Sequence, residues 1–320
     1  MQTKEIMRTK SFVIFASLAA LLTASCRKEE QGDPASRTPN AGHSANFTSL
    51  FAQRVADARQ QFAVDAALGG AVTGNQGTSL VFSPGAFRTP AGTIASGQVS
   101  VELVEVLDHR AMLRLNKPTV AMRNGSPTLL RSGGQVRVRA SQGGQSLTIT
   151  PNTLIVRVPA DTIDAQMDVF YGDEQADGTV AWVEAVDEWI TTDSSGMGSS
   201  PYYYEFAANS LGWINCDCFP IDWTTSIRII LPQEHTSMNT IAWIVVPAMN
   251  GVMHTWAQDM TIVSGRIPIG ESAVVVALHE TAHGGYESSF TPIAITQGMN
   301  VAISFQPTTL VQFDAAINGL

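Results

Sequence analysis

Short apolar runs that alternate with polar residues fill most of the chain from Ser79 onward. The cleanest is Gly97–Leu107, where Val99, Val101, Leu103 and Glu105 share one face and Val104 and Val106 share the other with Glu102. A two-residue period predicts a strand, and apolar residues on both faces predict a strand covered on both sides. Ser79–Phe82, Thr128–Arg131, Gly134–Ala140, Ser146–Ile149 and Leu154–Val158 read the same way. So do Ser226–Leu231, Thr240–Val246, Met260–Val263, Ala273–Leu278, Ile293–Thr296 and Val301–Phe305. Breaks at Gly133-Gly134, Gly143-Gly144, Pro232, Gly265 and Gly284-Gly285 punctuate them as turns do. Phe47, Leu50, Phe51, Val55 and Phe62 fall near helical spacing, which predicts a lead-in helix over Thr48–Gln60, and a short helix is expected within Thr308–Leu320. The pattern therefore predicts an all-β chain of two antiparallel β-sandwich domains, 47–160 and 226–320, joined by a connecting region over 161–225.

The first 46 residues follow a different pattern. Lys4, Arg8 and Lys10 precede an apolar stretch, Ser11–Leu22, that is too short to cross a hydrocarbon core of about 30 Å. Ala24 and Ser25 then present small side chains before Cys26, as an export signal over 1–25 requires. The stretch Leu22–Cys26 resembles the processing site of bacterial lipoproteins, with Thr23 standing where Leu is usual. The resemblance implies acylation of Cys26 and a membrane anchor made of lipid. Arg27-Lys28-Glu29-Glu30 resembles the tag behind the lipidated Cys of Bacteroidota-type surface lipoproteins, which implies an outer-membrane address facing outward. Residues 26–46 are rich in Pro, Gly, Ser and Asn, the composition of a flexible tether. Loss of 1–25 would leave 16 Lys and Arg against 27 Asp and Glu, a net charge of −11. That balance argues against a nucleic-acid partner.

A second resemblance rests on Leu80–Phe87 (Leu-Val-Phe-Ser-Pro-Gly-Ala-Phe) followed by Gly97–Leu103. A strand ending in Pro-Gly-Ala before a long Gly-x-Val strand resembles the β-sandwich module shared by ankyrins, netrin receptors and a zonula occludens protein. The fuller run through Met112, Lys117-Pro118-Thr119, Leu129–Gly134 and Gly144–Ile149, with Tyr204–Phe219 further on, resembles domains of Bacteroidota-type surface lipoproteins. Such modules bind or scaffold and carry no catalytic residues. The expected partners are thus the membrane, through Cys26, and a glycan or an envelope protein.

Charge and aromatic residues refine this picture. Arg110, Arg114, Lys117, Arg123, Arg131, Arg137 and Arg139 make the first half basic, while 13 Asp or Glu and no Lys or Arg lie between Arg157 and Arg228. Asp161, Asp164, Asp168, Asp173, Glu174 and Asp177 are dense enough to hold Ca²⁺ but match no known loop spacing. Among the aromatic residues of this region, Trp182, Trp189, Tyr203 and Trp213 are candidates for a sugar-stacking face, with burial in a β core as the competing explanation. Cys216 and Cys218, one residue apart, are expected to be free thiols.

His279-Glu280-Thr281-Ala282-His283 matches the H-E-x-x-H motif, in which two His on one helix face hold zinc and the Glu activates water. That alternative reading is a zinc peptidase with His279 and His283 as ligands and Glu280 as base. The β-branched approach Val274-Val275-Val276, the helix-stopping Gly284-Gly285 and the lack of a third ligand downstream speak against it. The favoured expectation is a non-catalytic protein without a cofactor. His109, His235 and His254 read as isolated side chains.

Overall fold

The strand Gln98–Val106 sits inside a nine-stranded sheet between Gln60–Asp65 and Arg131–Gln142. Its Val99, Val101 and Leu103 enter one core while Val104 and Val106 enter another, as the alternation predicts. Glu105 is nearly inaccessible, and its carboxylate is satisfied by the backbone N–H groups of Gln76 and Thr78, each at 2.9 Å, and by Gln60 Nε2 at 2.8 Å. The computed structural model describes residues 45–193, 202–221, 223–258 and 261–320; Cys26 and the rest of the export and tether region up to residue 44 lie outside them, while residues 45 and 46, expected in the tether, open the first helix.

The sheet continues past Arg131–Gln142 through Gly212–Cys218, Asp168–Glu174, Val180–Glu184, Val120–Arg123 and Ser126–Leu129. A five-stranded sheet, Thr191–Asp193, Tyr202–Ala208, Leu154–Ala160, Ser79–Phe82 and Gly70–Thr73, covers its inner face. Leu80, Val101, Val136, Val156, Phe206 and Ile214 fill the space between them, which makes the first sandwich. An eight-stranded sheet forms the C-terminal half, with Thr240–Val246 and Ser272–Glu280 at its centre. Ile229, Ile262 and Val301 from one end of it meet Ile244, Val275 and Ala277 of its inner strands in a shared core. All seven residues of Thr240–Val246 are buried, because both faces of that strand are covered.

Three elements fill the layer between the two sheet systems: α1 (Ala45–Asp57), α2 (His109–Leu115) and α3 (Leu310–Ile317). Phe47, Phe51 and Val55 of α1, Met112 and Leu113 of α2 and Phe313 and Ile317 of α3 share one core with Trp182 and Trp213 of the first sheet and Trp243 of the last. Asp108 caps α2 by accepting from Ala111 N at 2.7 Å, and Thr309 and Gln312 form a capping box on α3. The lead-in helix begins at Ala45 and stops at Asp57, three residues before its expected end, because Gln60–Asp65 is recruited as an edge strand.

One boundary is corrected by this arrangement. The expected connecting region, 161–225, is not a connector: Asp168–Glu174, Val180–Glu184 and Gly212–Cys218 are consecutive or neighbouring strands of the nine-stranded sheet, and Thr191–Asp193 and Tyr202–Ala208 belong to its partner. The described residues all fall in one compact unit rather than in two separable domains. The acids of this region pair with the basic first half: Arg131 with Asp164 at 3.0 Å, Arg139 with Glu174 at 3.3 Å and Lys117 with Glu174 at 3.2 Å. The basic stretch is therefore mostly an internal counter-charge, and the acids do not converge on a cation site among the described residues.

Candidate functional site

The aromatic candidates separate by burial. Trp182 is enclosed and donates from Nε1 to Pro118 O at 2.8 Å. Trp213 is equally enclosed, with Lys117 Nζ 5.0 Å and Arg137 Cζ 5.4 Å from its ring centre. Tyr203 is buried with Arg157 Cζ 5.6 Å from its ring. Trp182 and Trp213 cannot form a binding face, since the nine-stranded sheet is packed on both sides and both fill a core, and Tyr203 on the five-stranded sheet is buried too. Only Trp189 of the four stands in solvent, 78% exposed.

A more exposed ring occupies a built cleft. Trp223 is 88% exposed and lies with Ile221, Arg123, Asn124, Arg266 and Gln297 around a cleft of about 640 Å³. Each wall has a local cause. Val120–Arg123 and Ser126–Leu129 form a hairpin whose two-residue loop, Asn124-Gly125, has φ of 51° and 74°. Positive φ at both positions is the type I′ geometry that Asn-Gly favours, and it holds Arg123 and Asn124 at the tip. Arg266 is fixed beside this hairpin through its own N–H to Pro127 O at 2.6 Å and its carbonyl to Leu129 N at 2.9 Å. The approach is close enough that a Cβ on Gly265 would sit 2.4 Å from Pro127 O, so only Gly fits there. Trp223 is held by its carbonyl, which accepts from Ile269 N at 2.9 Å, and by the adjoining Thr224–Thr225 strand paired with Ile267–Pro268.

Arg123 stacks over Phe219 at 5.2 Å and donates to Pro220 O at 2.7 Å. Neither Arg123 nor Arg266 has a carboxylate partner among the described residues; Asp222, next to Trp223, lies outside them. An exposed indole, two guanidinium groups and two amide side chains around one cleft offer a stacking surface and directional donors together.

The H-E-x-x-H segment adopts a conformation that excludes the zinc-peptidase arrangement. Ser272–Glu280 is a strand, 281–285 a turn, and Tyr286–Ala294 the returning strand. Neighbouring strand residues face opposite ways, so Glu280 cannot serve an ion held by His279. Glu280 instead accepts from Asn46 Nδ2 on α1, and His283 projects from the exposed turn. The chain is not a peptidase of that type. The register of the hairpin does set His279 opposite Glu287, and the turn after Pro232 delivers His235 to both. His235 is thus not isolated. Burial and the neighbouring His235 imidazole hold the His279 pKa below its ordinary value, so its ring is neutral at pH 7.

Cys216 and Cys218 are free and buried, both facing the first core. Burial raises both thiols, Cys218 to about 12, which leaves them protonated and unreactive.

No family model matches the chain, and no curated protein matches it. Among solved structures, the chain has a likeness to Gamma-CGTASE from Alkalophilic bacillus clarkii, at 9% identity and a TM-score of 0.21. That likeness covers 76% of this chain and 42% of the enzyme's. A likeness at that level says nothing about function.

Sequence reasoning did not single out Trp223 or His235. Trp223 lies in the stretch read as a connector, and its exposure depends on where the hairpin at Asn124-Gly125 docks. The pairing of His279 with Glu287 was readable once a turn is centred on His283, because the residue numbers of cross-strand partners then sum to a constant.

Proposed function

We propose that this chain is a lipid-anchored, non-catalytic protein of the outer membrane that binds a glycan in the Trp223 cleft. The observation that carries the reading is the exposed Trp223 ring beside Arg123, Arg266, Asn124 and Gln297. Sugars present apolar C–H faces that stack on indole, and hydroxyl or carboxylate groups that accept from guanidinium and amide donors. A protein partner would be expected to need a broader apolar patch than this polar-rimmed cleft supplies. The processing site ending at Cys26 and the charged residues behind it supply the address: a tether that places the cleft outside the cell, where polysaccharides are the abundant ligands.

The test is a glycan array probed with the chain beginning at residue 45. Wild-type protein is expected to select a polysaccharide class, and Trp223→Ala is expected to weaken that binding at least tenfold while leaving the unfolding midpoint unchanged. A ring in solvent contributes little to the fold, so a large stability loss is not expected. Equal binding by the variant, or no glycan bound by wild type, would discard the reading.

A further inference from the structure

Two imidazoles and a carboxylate meet where the C-terminal hairpin passes the turn after Pro232. We infer that His235, His279 and Glu287 form a transition-metal site, with zinc as the fitting ion. One ligand atom from each side chain lies within 4.8 Å of the others, and no other set of His, Cys, Asp or Glu converges this way among the described residues. The proposal is independent of the glycan cleft and shares only His279 with the H-E-x-x-H motif.

The parts of a ligand set are present. His279 and Glu287 are cross-strand partners, so both side chains leave the hairpin on the same face. His279 Nδ1 is hydrogen-bonded to Thr240 Oγ1 at 2.9 Å, which fixes the ring and leaves Nε2 without a hydrogen-bond partner among the described residues. A metal-bound His usually donates its other ring N–H to an outer acceptor, and Thr240 Oγ1 stands in that place here. His235 Nε2 lies 2.9 Å from Glu287 Oε2, and its ring centre lies 4.3 Å from that of His279. Phe305 stacks on His235 with ring centres 4.3 Å apart and planes 9° from parallel, closing one side with an apolar wall.

The chemistry of the set selects the ion. Two nitrogen donors and one carboxylate oxygen suit zinc and its first-row neighbours, whereas Ca²⁺ and Mg²⁺ require oxygen. Ligands around one tetrahedral zinc lie about 3.3 Å apart, given metal–ligand bonds of roughly 2.0–2.1 Å. Closing the triangle from 4.8 Å therefore takes movements of order 1 Å. Glu287, on the rim, and His235, on a turn, can supply these while His279 stays fixed in its strand. Three protein ligands leave a fourth position for water, so the site ties the 232–235 turn to the hairpin.

The experiment uses the mature chain, stripped with chelator, dialysed against Zn²⁺ and assayed for bound metal and thermal midpoint. The expected result is one zinc per chain and a raised midpoint. His235→Ala and Glu287→Gln should each lose the bound zinc and the zinc-dependent shift, although both fold without metal to the wild-type apo midpoint or close to it. His283→Ala and Glu280→Gln should keep both. Failure of wild-type protein to retain zinc overturns the site. So does retention by His235→Ala and Glu287→Gln, and so does loss in His283→Ala with retention in His235→Ala.

Discussion

Trp243→Ala is expected to destabilise the protein by about 3–5 kcal/mol, the range for removing a large buried aromatic side chain. Trp243 has no accessible surface, meets Phe51 of α1 edge-on at 5.9 Å, and donates from Nε1 to Asn116 Oδ1 at 2.9 Å. Asn116 is itself buried and closes α2 in the left-handed conformation, with φ of 52°. The substitution thus opens a cavity and strands a polar atom at the same point, and both costs fall on the helical layer between the two sheet systems. Because that layer holds one core with residues from both systems, urea unfolding should show a single transition before and after the change, displaced as a whole. Trp243→Phe should recover part of the loss by refilling the space without the hydrogen bond. Two transitions, of which only one moves, would show that the halves are independent domains.

The second large effect depends on pH. Asp217 is fully buried on the strand Gly212–Cys218, accepts from Asn215 Nδ2, and has one carboxylate oxygen without a partner. Burial raises its pKa well above the ordinary carboxylate value, with hydrogen bonds from Ser132 and Asn215 opposing the shift. The sign follows from linkage. Below the unfolded-state value of about 3.9 the carboxyl is neutral in both states and the fold has its full benefit. As pH rises above that value the unfolded chain ionises while the folded chain does not, and stability falls by about 1.4 kcal/mol per pH unit until the folded group titrates. Asp217→Asn keeps an acceptor for Asn215 and removes the ionisation. The variant should therefore gain on wild type in thermal unfolding as pH rises above about 4, and the gain should level off once the folded carboxyl titrates. A stability difference independent of pH would mean that Asp217 is ionised inside the fold.

These residues also show which parts of the structure could be read in advance. The strand Thr240–Val246 was legible to the residue, because seven buried positions in a row leave no other choice between flanking turns. The two faces of Gln98–Val106 were legible from the alternation of its valines. The strands between residues 161 and 225 were not. Asp168–Glu174 begins and ends with acids, and its membership of the sheet comes from pairing with Gly212–Cys218, more than forty residues away. α2 was missed because seven residues are too few to show a helical period, and its ends are set by Asp108 and Asn116 rather than by a stripe. The candidate sites divide the same way. His279 was visible as a motif residue, but its partners come from a hairpin register and a turn, so the motif pointed to the wrong companions, His283 and Glu280. Trp182 and Trp213 were visible as aromatics, and only the second covering layer shows that they are core.

The proposed glycan cleft meets its ligand outside the cell only if the chain is held there by a lipid-bearing tether. The most direct test is the mass of the amino-terminal peptide of the protein extracted from membranes of the native cell. The expected species begins at Cys26 and carries a diacylglyceryl group on sulfur, with or without a further acyl chain on nitrogen. A fat-free protein in the soluble fraction, still beginning at Met1, would contradict the account.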